Sequence, residues 1–290
     1  MRASPREGIQ PTLHVHRLGQ LGYGEAHRLQ RRLQEARVRD LVPDTLLLLE
    51  HAPVITLGRG AKEEQLRFPR ASLMERGIEV HETGRGGDVT YHGPGQLVGY
   101  PIVKLEEGHQ DVRRYVTSLE ETMISLASKY DLNATRIPKL NGTWLSSSEL
   151  GDRKIGAIGV RISRWVTMHG FAFNVTTNLA HFQLIVPCGI QDKGVTSLEV
   201  ELDRKVPIDE VMDHYEGIFG SQFERDVLPQ TGSPIGMLTE RELAEIDEAV
   251  EGGPMEVFAG SPRGDEFTGS PRGEELTGSP RGEEAHEARR

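Results

Sequence analysis

The sequence is organised around the stretch Arg85-Gly-Gly-Asp-Val-Thr-Tyr-His-Gly-Pro-Gly-Gln96. Within it, Asp88–His92 alternates polar and apolar residues and includes β-branched and aromatic types, which predicts a half-buried strand. Gly86–Gly87 and Gly93–Gly95 mark turns on both sides, where the backbone must adopt positive φ or lie against another group. Taken alone, the stretch fits either a structural hairpin or the wall of a ligand site.

The residues on both sides of this stretch predict further strands. Leu46–Leu49 is a continuous apolar run, typical of a strand covered on both faces. A second glycine–arginine turn, Gly58–Gly60, either lines the same cavity or is a plain loop. Ile78–Thr83 is an alternating strand that leads into Arg85. Gln96–Val103 continues as a strand in which Pro101 indicates an edge or an end.

Helical periodicity is clearest after Asp111, a good cap, where apolar residues recur every three or four positions as far as Tyr130. Weaker patterns predict helices over Glu25–Asp40, Val206–Phe223 and Thr239–Val250. Further strands are predicted over Thr12–Leu18, Arg153–Ile162 and Val166–Val175. Because Gly156 and Gly159 interrupt one of these strands, a ligand or another backbone is expected to approach closely there. The sequence therefore predicts an α+β fold.

Charge is unevenly distributed along the 290 residues. The net charge is −10, and residues 231–290 hold 14 of the 44 acidic but only 6 of the 34 basic side chains. The body is therefore nearly neutral and offers no basic surface for nonspecific binding of nucleic acid. No apolar run approaches the roughly 18–20 residues of a membrane span, and the N-terminus lacks the apolar core of a secretory signal. These features indicate a soluble cytoplasmic protein that binds neither nucleic acid nor membrane.

The C-terminal end repeats a unit of nine residues: GSPRGDEFT, GSPRGEELT and GSPRGEEAH. This composition has almost nothing to bury, which predicts disorder rather than a solenoid. The expected organisation is a flexible leader (1–11), one main domain (12–230), an acidic helix (231–250) and a disordered tail (251–290).

Cys188 is the single cysteine, and it lies between Pro187 and Gly189 after an apolar run. A lone cysteine is by default a small buried apolar residue. At the end of a strand beside a glycine, however, its sulfur can be presented to a substrate. A thiol nucleophile needs a base, or its pKa lowered from about 8.5. The candidates for that role are His51, His92, His169, His181, Lys154 and Lys193.

Two other kinds of site are not indicated. The scattered histidines show neither an HExxH motif nor paired metal-ligand spacing, so no metal is expected. A Walker loop and a GxGxxG fingerprint are both missing, so no bound nucleotide is expected either.

Several segments together resemble the lipoyl(octanoyl) transferase family. They are LLLLEHAPVITLGR (46–59), RGGDVTYHGPGQLVGYPIV (85–103), RKIGAIGVRI (153–162), TMHGFAFNV (167–175), IVPCGI (185–190) and GVTSL (194–198). The resemblance covers roughly residues 12–225. It implies a mixed β-sheet flanked by helices, like the catalytic domain of biotin and lipoate protein ligases.

The resemblance also implies the reaction and its residues. Cys188 would accept the acyl group, and Lys154 would be its partner, as a base or as a cation that stabilises the thiolate. The expected substrate-binding residues are Arg85, Gly86, Gly87, Asp88, Val89, Thr90, Tyr91, His92, Ala157, Ile158, Gly159, Gly170, Phe171 and Ala172. No cofactor is implied, because exchange of thioesters followed by amide formation needs no ATP.

The implied partners are octanoyl-acyl carrier protein as donor and, as acceptors, lipoyl domains of 2-oxoacid dehydrogenase complexes and the glycine cleavage H protein. Two alternatives remain. An ATP-dependent lipoate or biotin ligase on the same fold would require no cysteine. A non-catalytic module that binds acyl groups or lipoyl domains would tolerate replacement of Cys188 and Lys154.

Overall fold

The computed structural model describes residues 10–186 and 193–252. The strands within these ranges are β1 (Thr12–Leu21), β2 (Asp44–His51), β3 (Val54–Leu57), β4 (Glu79–Glu82), β5 (Val89–His92), β6 (Gln96–Ile102), β7 (Thr135–Ile137), β8 (Leu140–Ser147), β9 (Gly151–Ser163), β10 (Val166–Asn174), β11 (Gly194–Val195) and β12 (Asp226–Gln230). The helices are α1 (Tyr23–Val38), α2 (Arg70–Glu75), α3 (Val112–Ser128), α4 (Leu198–Leu202), α5 (Ile208–Phe223) and α6 (Glu240–Gly252). Of the predicted leader and tail, almost all residues lie outside the described ranges.

A large mixed sheet runs in the order β12-β1-β2-β6-β10-β9-β8-β7, with β11 beside β9. β1 is parallel to both β12 and β2, and β11 is parallel to β9, whereas the other neighbours are antiparallel. The predicted α+β class with a mixed sheet flanked by helices is therefore confirmed.

Helices cover both faces of this sheet, as the continuous apolar run in β2 predicts. Leu46 and Leu48 pack in one core with residues of α3 and α5, while Leu47 and Leu49 pack in a second core with residues of α1 and α6. The split follows from the alternation of side chains along a strand. All four leucines are fully buried.

A second, three-stranded sheet has the order β4-β3-β5 and packs with α2 around a core of its own. β5 pairs antiparallel with β3, whereas β6 belongs to the large sheet. The stretch Arg85–Gln96 is therefore not a hairpin, because its second glycine turn carries the chain from one sheet to the other. Gly95 has a φ of 80° there, and a Cβ would lie 2.5 Å from the Thr176 hydroxyl.

Of the two alternatives for Pro101, the edge strand is wrong and the strand end is confirmed, because β6 lies inside the sheet and Pro101 is its penultimate residue. The pairing of β10 with β6 stops at Gly99, so beyond that residue one side of β6 is outside the ladder and tolerates the missing N–H. The apolar run before Pro187 is not a strand of the sheet: a 3₁₀ turn, Leu179–Leu184, precedes Ile185, which forms a single bridge with Leu66.

The helix boundaries follow local signals more closely. The carboxylate of Asp111 accepts hydrogen bonds from the backbone N–H groups of Arg113 and Arg114, at 2.8 and 3.1 Å, and α3 begins at the next residue as predicted. No helix in the described ranges has the length and apolarity needed to cross a membrane.

Candidate active site

A cavity lies between β5 of the small sheet and the β9–β10 part of the large sheet. It contains about 560 Å³ of empty space, its open mouth included. The residues that line it include Val89, Thr90, Trp144, Lys154, Ala157, Ala172, Phe182 and Ile185.

The two glycine–arginine turns pack directly against each other beside this cavity. The backbone N–H groups of Gly58, Arg59 and Gly60 donate to the carbonyls of Asp88, Arg85 and Gly87, at 3.2, 3.0 and 3.0 Å. A Cβ on Gly58 would lie 2.4 Å from the carbonyl oxygen of Gly87, so only glycine fits there. The second turn thus supports Arg85–Asp88 rather than forming a separate loop.

Arg85 is buried beneath these turns. Its guanidinium donates to the carbonyl and hydroxyl oxygens of Thr56, at 2.8 and 2.9 Å, and to the carbonyl of Gly86, at 3.1 Å. Burial lowers its pKa from the usual value, against the opposing influence of Tyr23, Tyr100 and Asp88. Arg85 therefore holds the turns in place, and its described hydrogen bonds are with other groups of the protein.

Lys154 projects from β9 into the wall of the cavity. Burial lowers the pKa of its amine to about 8, while the nearby carboxylates of Glu120 and Asp88 act in the opposite direction. Its Nζ lies 4.6 Å from the centroid of the Trp144 ring, a distance suited to a cation–π contact. Trp144 is fully buried, and its indole N–H donates to the carbonyl of Leu140 at 3.2 Å.

The predicted residues on β9 and β10 separate into two groups. Ala157 and Ala172 pair across the two strands and line the cavity. Ile158 and Phe171 also pair, but they pack in the core beside α3 and α5, because alternate residues of a strand face opposite sides.

The two predicted glycines of these strands allow close packing instead of touching a ligand. A Cβ on Gly159 would lie 2.9 Å from Arg85 Cδ, and one on Gly170 would lie 2.2 Å from the carbonyl oxygen of Gly99. Gly156 borders the cavity, and a Cβ on it would lie 2.5 Å from the Met123 sulfur.

The residues of β5 likewise alternate. Val89 and Thr90 line the cavity. Tyr91 is buried in the core of the small sheet, where its hydroxyl and His181 Nδ1 are 2.7 Å apart. His92 is on the same face as Thr90, and its Nδ1 lies 2.7 Å from Gln96 Oε1.

Burial keeps several candidate bases neutral. It lowers the pKa of His51 to about 4 and that of His92 to about 3, and it holds the pKa of His169 well below 6.5. Lys193 Nζ is bound to a carboxylate oxygen of Asp152 at 2.6 Å. Of His51, His92, His169 and Lys154, the lysine is the group whose pKa lies nearest to that of a thiol.

Three polar or aromatic residues at the cavity were not predicted from the sequence: Trp144, Gln96 and Asn174. Gln96 and Asn174 are direct partners on β6 and β10. Both residues lie at the cavity end of a predicted strand. The sequence would have indicated them as site residues only if the pairing of these two strands had been known.

Cys188 lies outside the described residues, as do its neighbours from Pro187 to Asp192. Described residues on both sides of this segment line the cavity: Ile185 before it, and Lys193, Gly194 and Val195 after it. Within the described ranges, no group of three His, Cys, Asp or Glu residues is arranged to hold a metal ion.

The arrangement of the sheet and its helices defines the class of fold, that of the catalytic domain of lipoate protein ligases. In a solved structure of the bipartite lipoate protein ligase from Thermoplasma acidophilum, the fold superposes with a TM-score of 0.62, covering 84% of this chain and 93% of that one at 18% identity. The profile of the family "Lipoyl protein ligase A/B catalytic domain" matches residues 22–220.

Relatives at higher identity narrow the assignment. The octanoyltransferase of Myxococcus xanthus is 50% identical over 216 residues, which are 74% of this chain and 60% of that relative's length. The octanoyltransferase of Caldicellulosiruptor saccharolyticus is 45% identical over 236 residues, which are 81% of this chain and 95% of the relative. The chain belongs to the octanoyltransferase family, whose enzymes transfer octanoyl groups in protein lipoylation. The predicted family, enzyme class and reaction type are thereby confirmed.

Proposed function

We propose that this chain moves an octanoyl group from octanoyl-acyl carrier protein to a lysine of a lipoyl domain, through a thioester on Cys188 and with Lys154 as proton acceptor. The observation that carries the proposal is the Lys154 side chain, a half-buried amine whose pKa is lowered by desolvation, in the wall of a largely apolar cavity. Buried groups with shifted pKa values in a cleft are candidates for catalysis.

The pKa of Lys154, about 8, supports its role as proton acceptor. An ordinary cysteine thiol has a pKa of about 8.5, so a proton can pass from sulfur to this amine at little cost. The ammonium that results would lie over the Trp144 ring, and its charge would stabilise the thiolate.

The reaction then consists of two acyl transfers. The Cys188 thiolate attacks the thioester carbonyl of the donor, the carbon–sulfur bond to the carrier breaks, and the departing thiolate takes the proton held on Lys154. In the second transfer the neutral amine of the target lysine attacks the enzyme thioester. The bond to Cys188 breaks, an amide forms, and the proton lost by the amine restores the thiol.

Two features of the described residues support Cys188 as the nucleophile. Residues on both sides of the 187–192 segment line the cavity that contains Lys154. The backbone of Val195 is the parallel partner of Lys154, and the N–H of Thr196 donates to the Lys154 carbonyl at 2.9 Å. The chain that leaves the segment is therefore fixed to the strand that carries the proposed base.

The wall of the cavity suits an alkyl chain. Val89, Ala157, Ala172, Phe182 and Ile185 contribute apolar surface. Burial of an acyl chain against such surface gains about 0.8 kcal/mol for each CH₂ group. The predicted contacts of Arg85, Gly86 and Gly87 with substrate belong to the proposal, since the described hydrogen bonds of Arg85 are with protein groups.

The test is the intact mass of the protein after incubation with octanoyl-acyl carrier protein. The expected result is a hydroxylamine-labile octanoyl adduct on the wild type that passes to a lipoyl domain without ATP. Cys188→Ser and Lys154→Met should give no adduct. Lys104→Met is the matched lysine control, because Lys104 is bound to Asp40 away from the cavity-lining residues.

Each rival function has its own outcome in this experiment. An ATP-dependent ligase would form no adduct and would modify the lipoyl domain only with ATP and free acid. A binding module would transfer nothing under either condition. Activity of Cys188→Ser equal to that of the wild type would refute the thioester route.

The finer assignments are also part of this proposal. They comprise lipoyl domains of 2-oxoacid dehydrogenase complexes and the glycine cleavage H protein as acceptors, a catalytic domain at 12–230 and a cytoplasmic location. The acceptors can be ranked by the rate at which the isolated acyl-enzyme modifies each purified lipoyl domain.

A further inference from the structure

Two polar side chains that line the cavity, Gln96 and Asn174, and the buried His92 behind them form a row of hydrogen bonds that the acyl-transfer steps above do not use. Gln96, Asn174 and His92 are 2%, 5% and 8% exposed. His92 Nδ1 lies 2.7 Å from Gln96 Oε1, and Gln96 Nε2 lies 2.9 Å from Asn174 Oδ1. Asn174 Nδ2 lies 2.9 Å from the carbonyl oxygen of Thr196.

Two backbone carbonyls fix the direction of every bond in this row. The carbonyl of Thr196 can only accept, so the group of Asn174 that faces it must be the NH₂. The Asn174 oxygen then faces Gln96, whose NH₂ donates to it and also to the carbonyl of Tyr91, at 3.3 Å. The remaining group, Gln96 Oε1, can only accept, so His92 Nδ1 must carry a proton.

The state of His92 follows from these constraints. Desolvation lowers its pKa to about 3, and the neighbouring His51 and Arg85 act in the same direction, against the hydrogen bond that His92 donates to Gln96. The ring is therefore neutral at physiological pH, with its proton on Nδ1 and a lone pair on Nε2. No residue in the described ranges forms a hydrogen bond with Nε2.

The tautomer decides which chemistry His92 can assist. A ring with its proton on Nε2 would be a donor and could bind the oxyanion of a tetrahedral intermediate. With the proton on Nδ1, Nε2 is an acceptor, and it can bind neither a carbonyl oxygen nor an oxyanion. The donor that the second acyl transfer brings to the site is the N–H of the attacking amine.

We propose that Gln96 and Asn174 are positioning residues that hold His92 as the Nδ1–H tautomer, so that its Nε2 accepts a hydrogen bond from the attacking amine. The proposal rests on the function proposed above. His92 does not remove the proton permanently. It orients the amine lone pair toward the thioester carbon, and the proton leaves to the sulfur of the departing cysteine once the amide has formed.

The same row also ties the two halves of the site together. Through the Thr196 carbonyl, Asn174 fixes the chain next to β11, and the Thr196 N–H is bound to the Lys154 carbonyl. One side-chain row thus connects His92 in the small sheet with the strand of Lys154 in the large sheet.

The first test measures the tautomer directly and needs no substrate. In ¹⁵N-histidine spectra at pH 7, with His92 assigned by its loss in His92→Gln, the expected pattern is a protonated Nδ1 and an unprotonated Nε2. A protonated Nε2 in the wild type would overturn the proposal.

Gln96→Glu tests the role of the row. The carboxylate can accept from Nδ1 but cannot donate to Asn174, and its charge should protonate both nitrogens of His92. Gln34→Glu is the matched control, because Gln34 is a buried glutamine on α1 that donates to the carbonyl of Val166 at 2.9 Å, outside the cavity. The control should leave the His92 spectrum unchanged.

Kinetics then separate the two acyl transfers. Gln96→Glu should slow transfer from the isolated acyl-enzyme to a lipoyl domain by about 100-fold, the scale of a positioned proton-transfer partner, and should slow adduct formation much less. Equal slowing of both steps, or of neither, would overturn the role assigned to the amine. If the wild type forms no adduct, the proposed function fails and with it the amine contact, while the spectra still decide the tautomer.

Discussion

The charge around Lys154 predicts that removal of a buried carboxylate speeds the first acyl transfer at neutral pH. Glu120 is 6% exposed and raises the pKa of Lys154 against the effect of burial. In Glu120→Gln this influence disappears, so the pKa of the lysine should fall below about 8. The variant keeps an oxygen that can accept from the N–H of Gly142, which is 2.9 Å from Glu120 Oε1 in the wild type.

The size of the shift can be worked from the geometry. The backbone of Gly142 lies between the carboxylate of Glu120 and the amine of Lys154. Its N–H is bound to Glu120 Oε1, and a Cβ on it would lie 3.4 Å from Lys154 Cε. These two contacts place the carboxylate and the amine at most about 10 Å apart. At an effective dielectric constant of about 20, charges at this separation interact by roughly 1.7 kcal/mol, which corresponds to about one pKa unit. The neutral fraction of Lys154 at pH 7 would rise from about one tenth to about one half.

The assay is the pH dependence of adduct formation under single-turnover conditions. If neutral Lys154 accepts the thiol proton, Glu120→Gln should form the adduct roughly fivefold faster at pH 7 and at the wild-type rate at pH 9. Glu216→Gln is the matched control. Glu216 is a buried glutamate on α5, and its carboxylate lies 2.6 Å from Nε of Arg17. Its profile should coincide with that of the wild type.

The opposite result has a clear meaning. If Lys154 acts as a cation that stabilises the thiolate, a lower pKa removes charge from the site, and Glu120→Gln should be slower than the wild type between pH 7 and 8. A slower variant in that range, with the control unchanged, would refute the assignment of Lys154 as the base.

Three further predictions concern packing. Gly58→Ala should lower Tm and activity together, because the added Cβ would lie 2.4 Å from the carbonyl oxygen of Gly87; wild-type Tm would contradict the fit of the two turns. Ala172→Leu should reduce adduct formation more for octanoyl than for butyryl donors, since Ala172 lines the cavity; equal loss for both donors would count against an acyl site there. Truncation after Gln230 removes Leu238 and Ile246 and exposes the apolar surface against which they pack. It should therefore lower the free energy of unfolding by about 3–6 kcal/mol. Truncation after Gly252 should leave the denaturant midpoint unchanged.

The sequence predicts those parts of the fold that depend on neighbours along the chain. The Asp111 cap needs only the next three residues, and the burial of Leu46–Leu49 on both faces needs only an uninterrupted apolar run. The Arg85–Gln96 stretch was open to a hairpin interpretation because its flanking turns are local signals. Its actual partner, β3, is determined by hydrogen bonds from Gly58–Gly60, more than 25 positions away.

The candidate site shows the same division. Lys154 could be proposed from its motif, and the resemblance supplied its pairing with Cys188, but the ring of Trp144 below the amine depends on the pairing of β8 with β9. Ile158 and Phe171 belong to matching motifs and yet face the core, because a motif records which residues occur and not which side of the sheet they occupy.

The chemistry of His92 depends on contacts that only the folded chain supplies. Its neighbour Gln96 is four positions away, but the proton on Nδ1 is determined by Asn174 and Thr196, 78 and 100 positions from Gln96. Without them the Gln96 amide could turn over and donate to the imidazole, and Nε2 would then carry the proton. The protonation of a histidine in such a row is therefore defined only when the last group of the row can act solely as a donor or solely as an acceptor. Here the last group is the backbone carbonyl of Thr196, which can only accept.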